Sequence, residues 1–245
     1  MIYIEISNMI SEDRKYRLKN IIRYILEAFF GSSEKAVIKL GNDSKAKRIY
    51  SYFNKRNKKF FGIKRLTISI ALIDLSKYSC FEDYRLTIRG KNSADYYKRR
   101  CEKKGYTFRS IDRNDFIDEI YEINTSLNVR CGKEMTSEYK NRMASYNNEN
   151  ASAYGVFKDS KLVAYTDLST YNQLIKINRI LGHGDFLNDN IMYYLLFKTI
   201  ESIFELNEDK PGYFMYDSFW GNPKGLVLFK NRFKFCSYKV KWLLK

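Results

Sequence analysis

The stretch that most constrains the fold runs from Ile180 to Ser202, ILGHGDFLNDNIMYYLLFKTIES. An apolar run ends at two glycines that flank the only histidine, His183, and an apolar helical repeat follows. A strand that leads through a glycine turn into a helix gathers unpaired backbone N–H groups and partial positive charge, which suits an anion. Asp185 and Asp189 favour a second interpretation, in which they cap an ordinary core helix. The residues alone leave both interpretations open.

The composition indicates a globular protein. With 245 residues, 44% of them hydrophobic, the chain is long enough for one large domain or two small ones. It contains neither an apolar run of about eighteen residues nor a secretory signal pattern, so we expect a cytoplasmic protein, in the host cytoplasm if a phage encodes it. The four cysteines form no CxxC pair, which indicates reduced thiols. With a single histidine we expect no metal site.

The net charge of +16 is unevenly distributed along the chain. Residues 45–104 carry 18 Lys or Arg against 5 Asp or Glu, whereas the flanking segments are nearly balanced. Concentrated positive charge attracts a polyanion, and nucleic acid is the commonest such partner. We therefore expect nucleic-acid contacts from a set of basic residues on or near one predicted helix: Arg89, Lys98, Arg99, Arg100, Lys103 and Lys104. A solvated basic face is the alternative explanation.

The first part of the chain reads as a basic α/β segment. We expect a strand at Tyr3–Ile6, a helix from Ser11 to Gly31, an apolar run at 37–40 and a helix from Ser44 to Gly62 whose inward residues include Phe60. Two strands should follow, at 66–75 and 84–88, and could pair with each other. A helix capped at Asn92 or Ser93 should then end at Gly105.

From Tyr106 the pattern changes. The sequence predicts a strand (YTFRSID), a helix (NDFIDEIYEIN), a short helix after a loop, and three strands at 153–157, 162–168 and 175–181. After the helix that follows His183 come a buried strand (YFMYDSF), a helix (GNPKGLVLFKNRF) and a final strand (SYKVKWLL). The composition shift places a boundary near Gly105, with a basic extension at 1–105 and a second domain at 106–245.

This order of elements over 106–245 resembles the GCN5-related N-acetyltransferases (GNAT). The likeness is carried by LGHGDFLNDNIMYYLL, YFMYDSFWG and GLVLFKNRFKFCSYKVKW, with Lys234 where the family most often has glycine. The segment EINTSLNVRCGKEMTSEY is similar to the substrate-side loop of divergent bacterial and phage relatives, some likened to aminoacyl-transferring FemAB-type proteins. The resemblance implies an α/β (α+β) fold with a GNAT-like mixed central sheet flanked by helices, here with the N-terminal basic α/β extension.

The resemblance also implies an acyl donor site. In the family an acyl-CoA lies between the fourth and fifth strands, with its pyrophosphate on the turn before the third helix. By position, Gly182, Gly184, Asp185 and Asn188 would contact acetyl-CoA or another acyl-CoA, in a gap between 175–181 and 213–219. The acceptor side would include Asn124, Ser126 and Arg130. The usual Gln or Arg before the glycines is absent and the turn is acidic, so the donor is either held differently or is not CoA.

Transfer to an amine needs a base, a group that polarises the carbonyl and an acid for the leaving group. The candidate catalytic residues are His183, Asp217, Tyr216 and Ser218. Histidine titrates near neutral pH, and burial at the end of an apolar strand would make the charged form of Asp217 costly. A structural histidine in a glycine turn and a core tyrosine are the plainer explanations for His183 and Tyr216.

The sequence thus predicts a GNAT-like acyltransferase that moves an acetyl or aminoacyl group to an amine. Nucleic acid, with modified phage DNA as one candidate, is the expected acceptor or docking partner. One alternative is a nucleic-acid-binding protein that keeps the scaffold without enzymatic activity. Another is aminoacyl transfer to a cell-wall or polysaccharide amine, with the basic face on an anionic lipid carrier. The sequence does not identify the donor or the acceptor, does not distinguish DNA from RNA as the partner, and does not give the oligomeric state.

Overall fold

The computed structural model describes residues 33–56, 66–147, 151–206, 210–220 and 222–244, with the single positions Leu18, Lys19, Ile22, Leu26 and Lys64. The predicted strand at Tyr3–Ile6 and most of the predicted first helix lie outside the described residues. Phe60 and Gly62 also lie outside them.

The described helices begin and end as follows: α1 Ser44–Asn54, α2 Phe81–Thr87, α3 Ala94–Lys103, α4 Ile117–Thr125, α5 Ser137–Lys140, α6 Ile191–Phe204 and α7 Lys224–Arg232. The strands are β1 Glu34–Lys39, β2 Ile70–Asp74, β3 Thr107–Ile111, β4 Val129–Arg130, β5 Lys133–Glu134, β6 Ala151–Lys158, β7 Lys161–Tyr171, β8 Leu174–Gly182, β9 Tyr213–Ser218 and β10 Cys236–Leu243. A 3-10 helix, Gly184–Asp189, precedes α6.

The chain divides into two compact units that do not follow chain order. The first comprises residues 1–74, 171–174 and 213–245, and the second comprises residues 75–170 and 175–212. Gly105 lies within the second unit, in the turn between α3 and β3. A domain boundary at Gly105 stays a prediction.

In the first unit the strand order is β1-β10-β2-β9. β1 runs parallel to β10, while β10 and β9 are both antiparallel to β2. α1 packs on this sheet because Ala46 and Phe53 face Ile38, Val240 and Trp242 in one apolar cluster. Asp43 caps the helix by accepting a 2.7 Å hydrogen bond from the Ala46 N–H.

In the second unit the order is β8-β7-β6-β3. Side chains on the two faces of β6 and β7 alternate between two clusters, since successive residues of a strand point to opposite faces. Val156 and Ala164 pack with Leu195 of α6 and Cys101 of α3, whereas Phe157 and Tyr165 pack with Ile120 and Ile123 of α4. The predicted mixed sheet with flanking helices is confirmed.

The strand predictions for residues 66–75 and 84–88 are wrong. The strand predicted at 84–88 is the helix α2, so it cannot pair with the strand before it. Glu82 and Asp83 favour the start of that helix, and Phe81 and Tyr84 both contact Phe204. The strand predicted at 66–75 is shortened to β2, because Ser69 adopts a φ of 57° just before it.

Candidate functional site

Two groups of predicted site residues lie in different units. The first surrounds the turn between β8 and α6. Gly182 ends β8 in a closely packed place, since an added Cβ would lie 2.8 Å from Met192 Sδ and 3.0 Å from Ile191 Cδ1 unless those side chains moved. At Gly184 an added Cβ would lie 2.9 Å from Leu127 Cγ. A larger residue at either position would force the neighbouring side chains to move.

The backbone donors of this turn have protein acceptors. The Gly184 N–H donates to Ser126 Oγ at 3.0 Å, and the Asp185 N–H donates to His183 Nδ1 at 3.3 Å. The His183 N–H donates to the Val163 carbonyl at 2.8 Å, and the Phe186 N–H to the His183 carbonyl at 3.1 Å. A pyrophosphate could take the Gly184 and Asp185 donors only by displacing these groups, so this turn fits the CoA pyrophosphate poorly.

Neither Asp185 nor Asp189 caps α6, as one of the two interpretations of this turn required. Asn190 occupies the N-cap position with φ 68°, and its side chain makes no capping bond. Asp189 instead accepts from the Tyr106 hydroxyl at 2.6 Å and forms an ion pair with Lys104. These contacts lower the pKa of Asp189, chiefly through the hydrogen bond from Lys104. The Asp185 side chain is exposed.

Arg130 joins the loop after α4 to the end of β8. Its Nη1 donates to the Gly182 carbonyl at 2.8 Å, and its Nη2 donates to the Ile123 carbonyl at 2.7 Å and to Ser126 Oγ at 3.0 Å. Burial lowers the pKa of Arg130, and its buried Nε has no hydrogen-bond partner among the described residues. Within that part of the chain, no carboxylate forms an ion pair with this guanidinium.

His183 is largely enclosed, with 12% of its side chain exposed. Because Nδ1 accepts the Asp185 N–H, the neutral ring carries its proton on Nε2, which lies 3.6 Å from Glu122 Oε1. The same Glu122 oxygen accepts from Lys161 Nζ at 2.6 Å. Both ring nitrogens therefore already face protein groups in this arrangement.

The predicted acceptor-side residues form hydrogen bonds with other groups of the protein. Ser126 bonds both Gly184 and Arg130, while the buried Asn124 accepts a 2.8 Å hydrogen bond from the Tyr165 hydroxyl. The Asn188 carbonyl accepts from Asn190 Nδ2 at 3.3 Å, and Asn188 is exposed. Sequence reasoning missed Glu122 and Tyr165, which reach the site from α4 and β7.

A second polar cluster that the sequence analysis missed lies beside Tyr146. Arg113 and Asp167 form a buried ion pair at 2.7 Å, and Asn178 donates to the other Asp167 oxygen at 2.9 Å. The Arg113 guanidinium lies 4.8 Å from the centre of the Tyr146 ring. An aspartate inside the apolar run LVAYTDL was the available signal, since a charge in a buried strand requires a partner.

The second group of predicted residues lies at the end of β9, in the first unit. Asp217 is exposed and has a φ of 53°, so the burial expected for it is absent. Tyr216 and Ser218 are half-buried. The Ser218 carbonyl accepts from Asn222 Nδ2 at 2.8 Å and from Lys230 Nζ at 2.5 Å.

Lys230 is the residue of this region that sequence reasoning passed over. It is 1% exposed, and its ammonium lies 4.5 Å from the centre of the Tyr216 ring. The Phe229–Lys230 pair in the closing motif was the signal that could have identified it. Ser69, which directly precedes the neighbouring strand β2, also has a positive φ, of 57°. It is buried, and its carbonyl accepts from the Phe219 N–H at 2.6 Å while its hydroxyl oxygen accepts from the Trp220 N–H at 2.9 Å.

The basic residues predicted to contact nucleic acid are partly neutralised. Lys98 pairs with Glu102, Arg99 with Asp95 and Lys104 with Asp189. Arg100 lies over the Tyr96 ring, and Arg89 and Lys103 are exposed. Three of the six predicted residues thus have a carboxylate partner, but Asp95 and Glu102 already belong to the five acidic residues of 45–104, so only Asp189 lowers the excess charge of that segment.

Within the described residues, no group of three or more His, Cys, Asp or Glu side chains could hold a metal ion. The same part of the chain contains no helix whose length and hydrophobicity would let it cross a membrane.

No protein-family model matches the chain, and a search of curated proteins found no match. Among solved structures, FemX is 9% identical, with a TM-score of 0.50 over 69% of this chain and 59% of FemX. The C-terminal domain of a putative lysylphosphatidylglycerol synthetase from Agrobacterium fabrum is 14% identical, with a TM-score of 0.46 over 69% of this chain and 57% of that one. L-PGS from Bacillus licheniformis is 16% identical, with a TM-score of 0.45 over 69% and 56%. The chain matches a little over half the length of these structures, and the likeness to FemX identifies its fold as GNAT-like.

Proposed function

We propose that this protein transfers an acyl or aminoacyl group to an amine. The GNAT-like fold shared with FemX supports the proposal, together with the sequence motifs that resemble acyltransferases. The observation that carries it is Arg130, a partly buried guanidinium that contacts three oxygens and no carboxylate among the described residues. A desolvated positive charge without an acidic partner favours an anionic ligand.

In the proposed reaction the acceptor nitrogen attacks the carbonyl carbon of the donor. A new C–N bond forms, the bond from that carbon to the leaving sulfur or oxygen breaks, and the leaving group keeps its electron pair. The ammonium-like nitrogen then loses a proton to a base, and the leaving group takes up a proton. Neither sequence candidate is carried over as the base, because Asp217 is exposed and belongs to the first unit, and the nitrogens of His183 already face protein groups.

Arg130 would bind the anionic part of the donor, and Ser126 and Asn124 would orient the acceptor side. The Gly184 and Asp185 N–H groups are bonded within the protein, which disfavours a pyrophosphate at the turn. We therefore propose an acyl donor whose anionic group meets Arg130, and we treat acetyl-CoA as one donor to test. Nucleic acid is the proposed acceptor, on the basis of the exposed Arg89 and Lys103.

The test begins with mass spectrometry of small molecules that copurify with the full chain. Any acyl donor found, and acetyl-CoA in parallel, should raise the melting temperature, since a ligand of the folded state stabilises it by mass action. Arg130→Gln should abolish that rise, whereas Arg142→Gln should preserve it because Arg142 forms an exposed pair with Asp118. If no acyl donor shifts the melting temperature, or if Arg130→Gln leaves the shift unchanged, the proposal is wrong.

A second candidate function is nucleic-acid binding without catalysis. The observation that favours it is the turn after β8, whose backbone donors are satisfied by Ser126 and His183 and are thus unavailable to a donor phosphate. Binding of an oligonucleotide combined with no response to any acyl donor would favour this candidate over the enzyme.

A further inference from the structure

One face of the β1–β10 pair carries four lysines that are far apart in sequence. In the parallel register Lys35 lies beside Lys239, Val37 beside Lys241 and Lys39 beside Leu243. All four lysines are exposed, as is Val37 at 55%. We call Lys35, Lys39, Lys239 and Lys241 the strand lysines.

This face has no acidic residue of its own on the two strands. Glu34 alternates with Lys35 and so belongs to the opposite face, with Ala36 and Ile38 that pack towards α1. No residue in the described ranges forms an ion pair or a hydrogen bond with the ammonium groups of the strand lysines, and the side-chain contact that Lys39 makes, with Gln173 Oε1 at 2.9 Å, is through its backbone N–H. The contrast is with α3, where Lys98 and Arg99 each have a carboxylate within reach.

The spacing of these charges is fixed by the sheet. Neighbouring strands lie about 4.8 Å apart and alternate residues of a strand about 6.6 Å apart, so the strand lysines form a compact array of like charge. Side by side, such charges repel one another until an anion neutralises them. An array along two strands matches a partner whose negative charges also follow a line.

We propose that the strand lysines bind the phosphate backbone of a nucleic acid. A membrane surface is the less suitable partner, because the one exposed apolar side chain within the array, Val37, is short, whereas interfacial binding buries larger apolar groups. Val37 at the centre keeps the array flat and leaves the ammonium groups free to contact successive phosphates. The proposal concerns the first unit alone and does not depend on acyl transfer.

The test is a salt titration of binding, with a fluorescein-labelled single-stranded RNA and a labelled DNA duplex as probes and no acyl donor present. Each lysine–phosphate contact adds about 0.7 to the slope of log affinity against log salt for a single strand, and about 0.9 for duplex DNA. The variant K35Q/K39Q/K239Q/K241Q should therefore lower the magnitude of the slope by about 2.8 for the RNA and by about 3.6 for the DNA duplex, and weaken binding at low salt.

The matched control is K47Q/R48Q/K91Q/K140Q, which removes the same charge from exposed positions outside β1 and β10. It should retain most of the affinity if the strand lysines form the binding surface. An equal loss in both variants, or a larger loss in the control, would overturn the proposal. Undetectable binding of both probes, alongside binding to phosphatidylglycerol vesicles, would also overturn it and would indicate a membrane partner.

Discussion

The Arg130 guanidinium donates a 2.8 Å hydrogen bond to the Gly182 carbonyl and so connects the loop after α4 to the last residue of β8. The same side chain bonds the Ile123 carbonyl and the Ser126 hydroxyl. A single arginine therefore links the predicted acceptor side to the predicted donor turn within the second unit. This role follows from its three acceptors, whether or not a ligand also contacts it.

Replacing Arg130 with Met should lower the free energy of unfolding by about 1–3 kcal/mol, because oxygens that it bonds would lose a donor. Denaturant unfolding measures the change. The matched control is Arg142→Met, which removes an exposed ion pair with Asp118 and should change stability by about 0.5 kcal/mol or less. Equal effects of the two substitutions would show that the Arg130 contacts contribute little.

The Asp189 carboxylate should make stability depend on acidic pH. Hydrogen bonds from Lys104 and Tyr106 lower the pKa of Asp189 in the folded state. A lowered pKa means that the carboxylate stabilises the fold above its unfolded pKa of about 3.9, and that this stabilisation is lost as the pH falls through the lower folded value. Asp189→Asn should therefore destabilise the protein at neutral pH and reduce the drop in stability between about pH 5 and pH 2.

Unfolding of the wild type and of Asp189→Asn across this pH range would test the expectation. Asp159→Asn is the control, since Asp159 is an exposed turn residue 3.6 Å from Lys158. If Asp159→Asn reduces the loss of stability at acidic pH as much as Asp189→Asn does, the hydrogen bonds of Asp189 with Lys104 and Tyr106 are not responsible.

Gly182→Ala should destabilise the protein by about 1–3 kcal/mol, because the new methyl group would press against Met192 and Ile191. Met192→Ala should relieve much of that loss in the double variant, which a double-mutant cycle would measure. Gly225→Ala is the contrasting change, since nothing lies within 4 Å of its added Cβ and it occupies the first turn of α7. We expect Gly225→Ala to be neutral or stabilising. If Met192→Ala recovers none of the stability lost in Gly182→Ala, the packing explanation is wrong.

Lys234→Gly should stabilise the protein by about 0.5–1 kcal/mol. Lys234 follows α7 with a φ of 57°, its N–H donates to the Asn231 carbonyl at 3.0 Å, and the Phe235 N–H donates to the Lys230 carbonyl at 3.1 Å. This is a Schellman motif, whose left-handed position favours glycine over any residue with a Cβ. Thermal unfolding should show a higher melting temperature, whereas Lys239→Gly inside β10 should lower it.

Periodicity in the sequence determined most elements of the second half of the chain. The strands β6, β7 and β8, the helix α6 and the closing α7–β10 pair follow the predicted order. In each of them the spacing of apolar residues is typical of either a strand or a helix over most of the element. The departure at Lys234 was also visible, and its backbone angle gives the physical reason that glycine is commoner there. Short apolar segments were less informative. The segment at 84–88 was predicted as a strand but belongs largely to α2, and the contact of Tyr84 with Phe204 that supports this helix is not visible in the local sequence.

The tertiary structure alone decided which polar groups have partners. Asp189 was interpreted as a cap, yet it bonds Lys104 and Tyr106, which lie more than eighty residues earlier. Counting charges along the chain located the excess in residues 45–104, but it could not show that Lys98 and Arg99 pair with Glu102 and Asp95, or that Lys104 pairs with Asp189. The strand lysines escaped that count because β1 and β10 are almost two hundred residues apart, and a parallel strand pair makes them neighbours. Sequence fixes local geometry through backbone and side-chain preferences, whereas charge pairing depends on distances that only the folded chain sets.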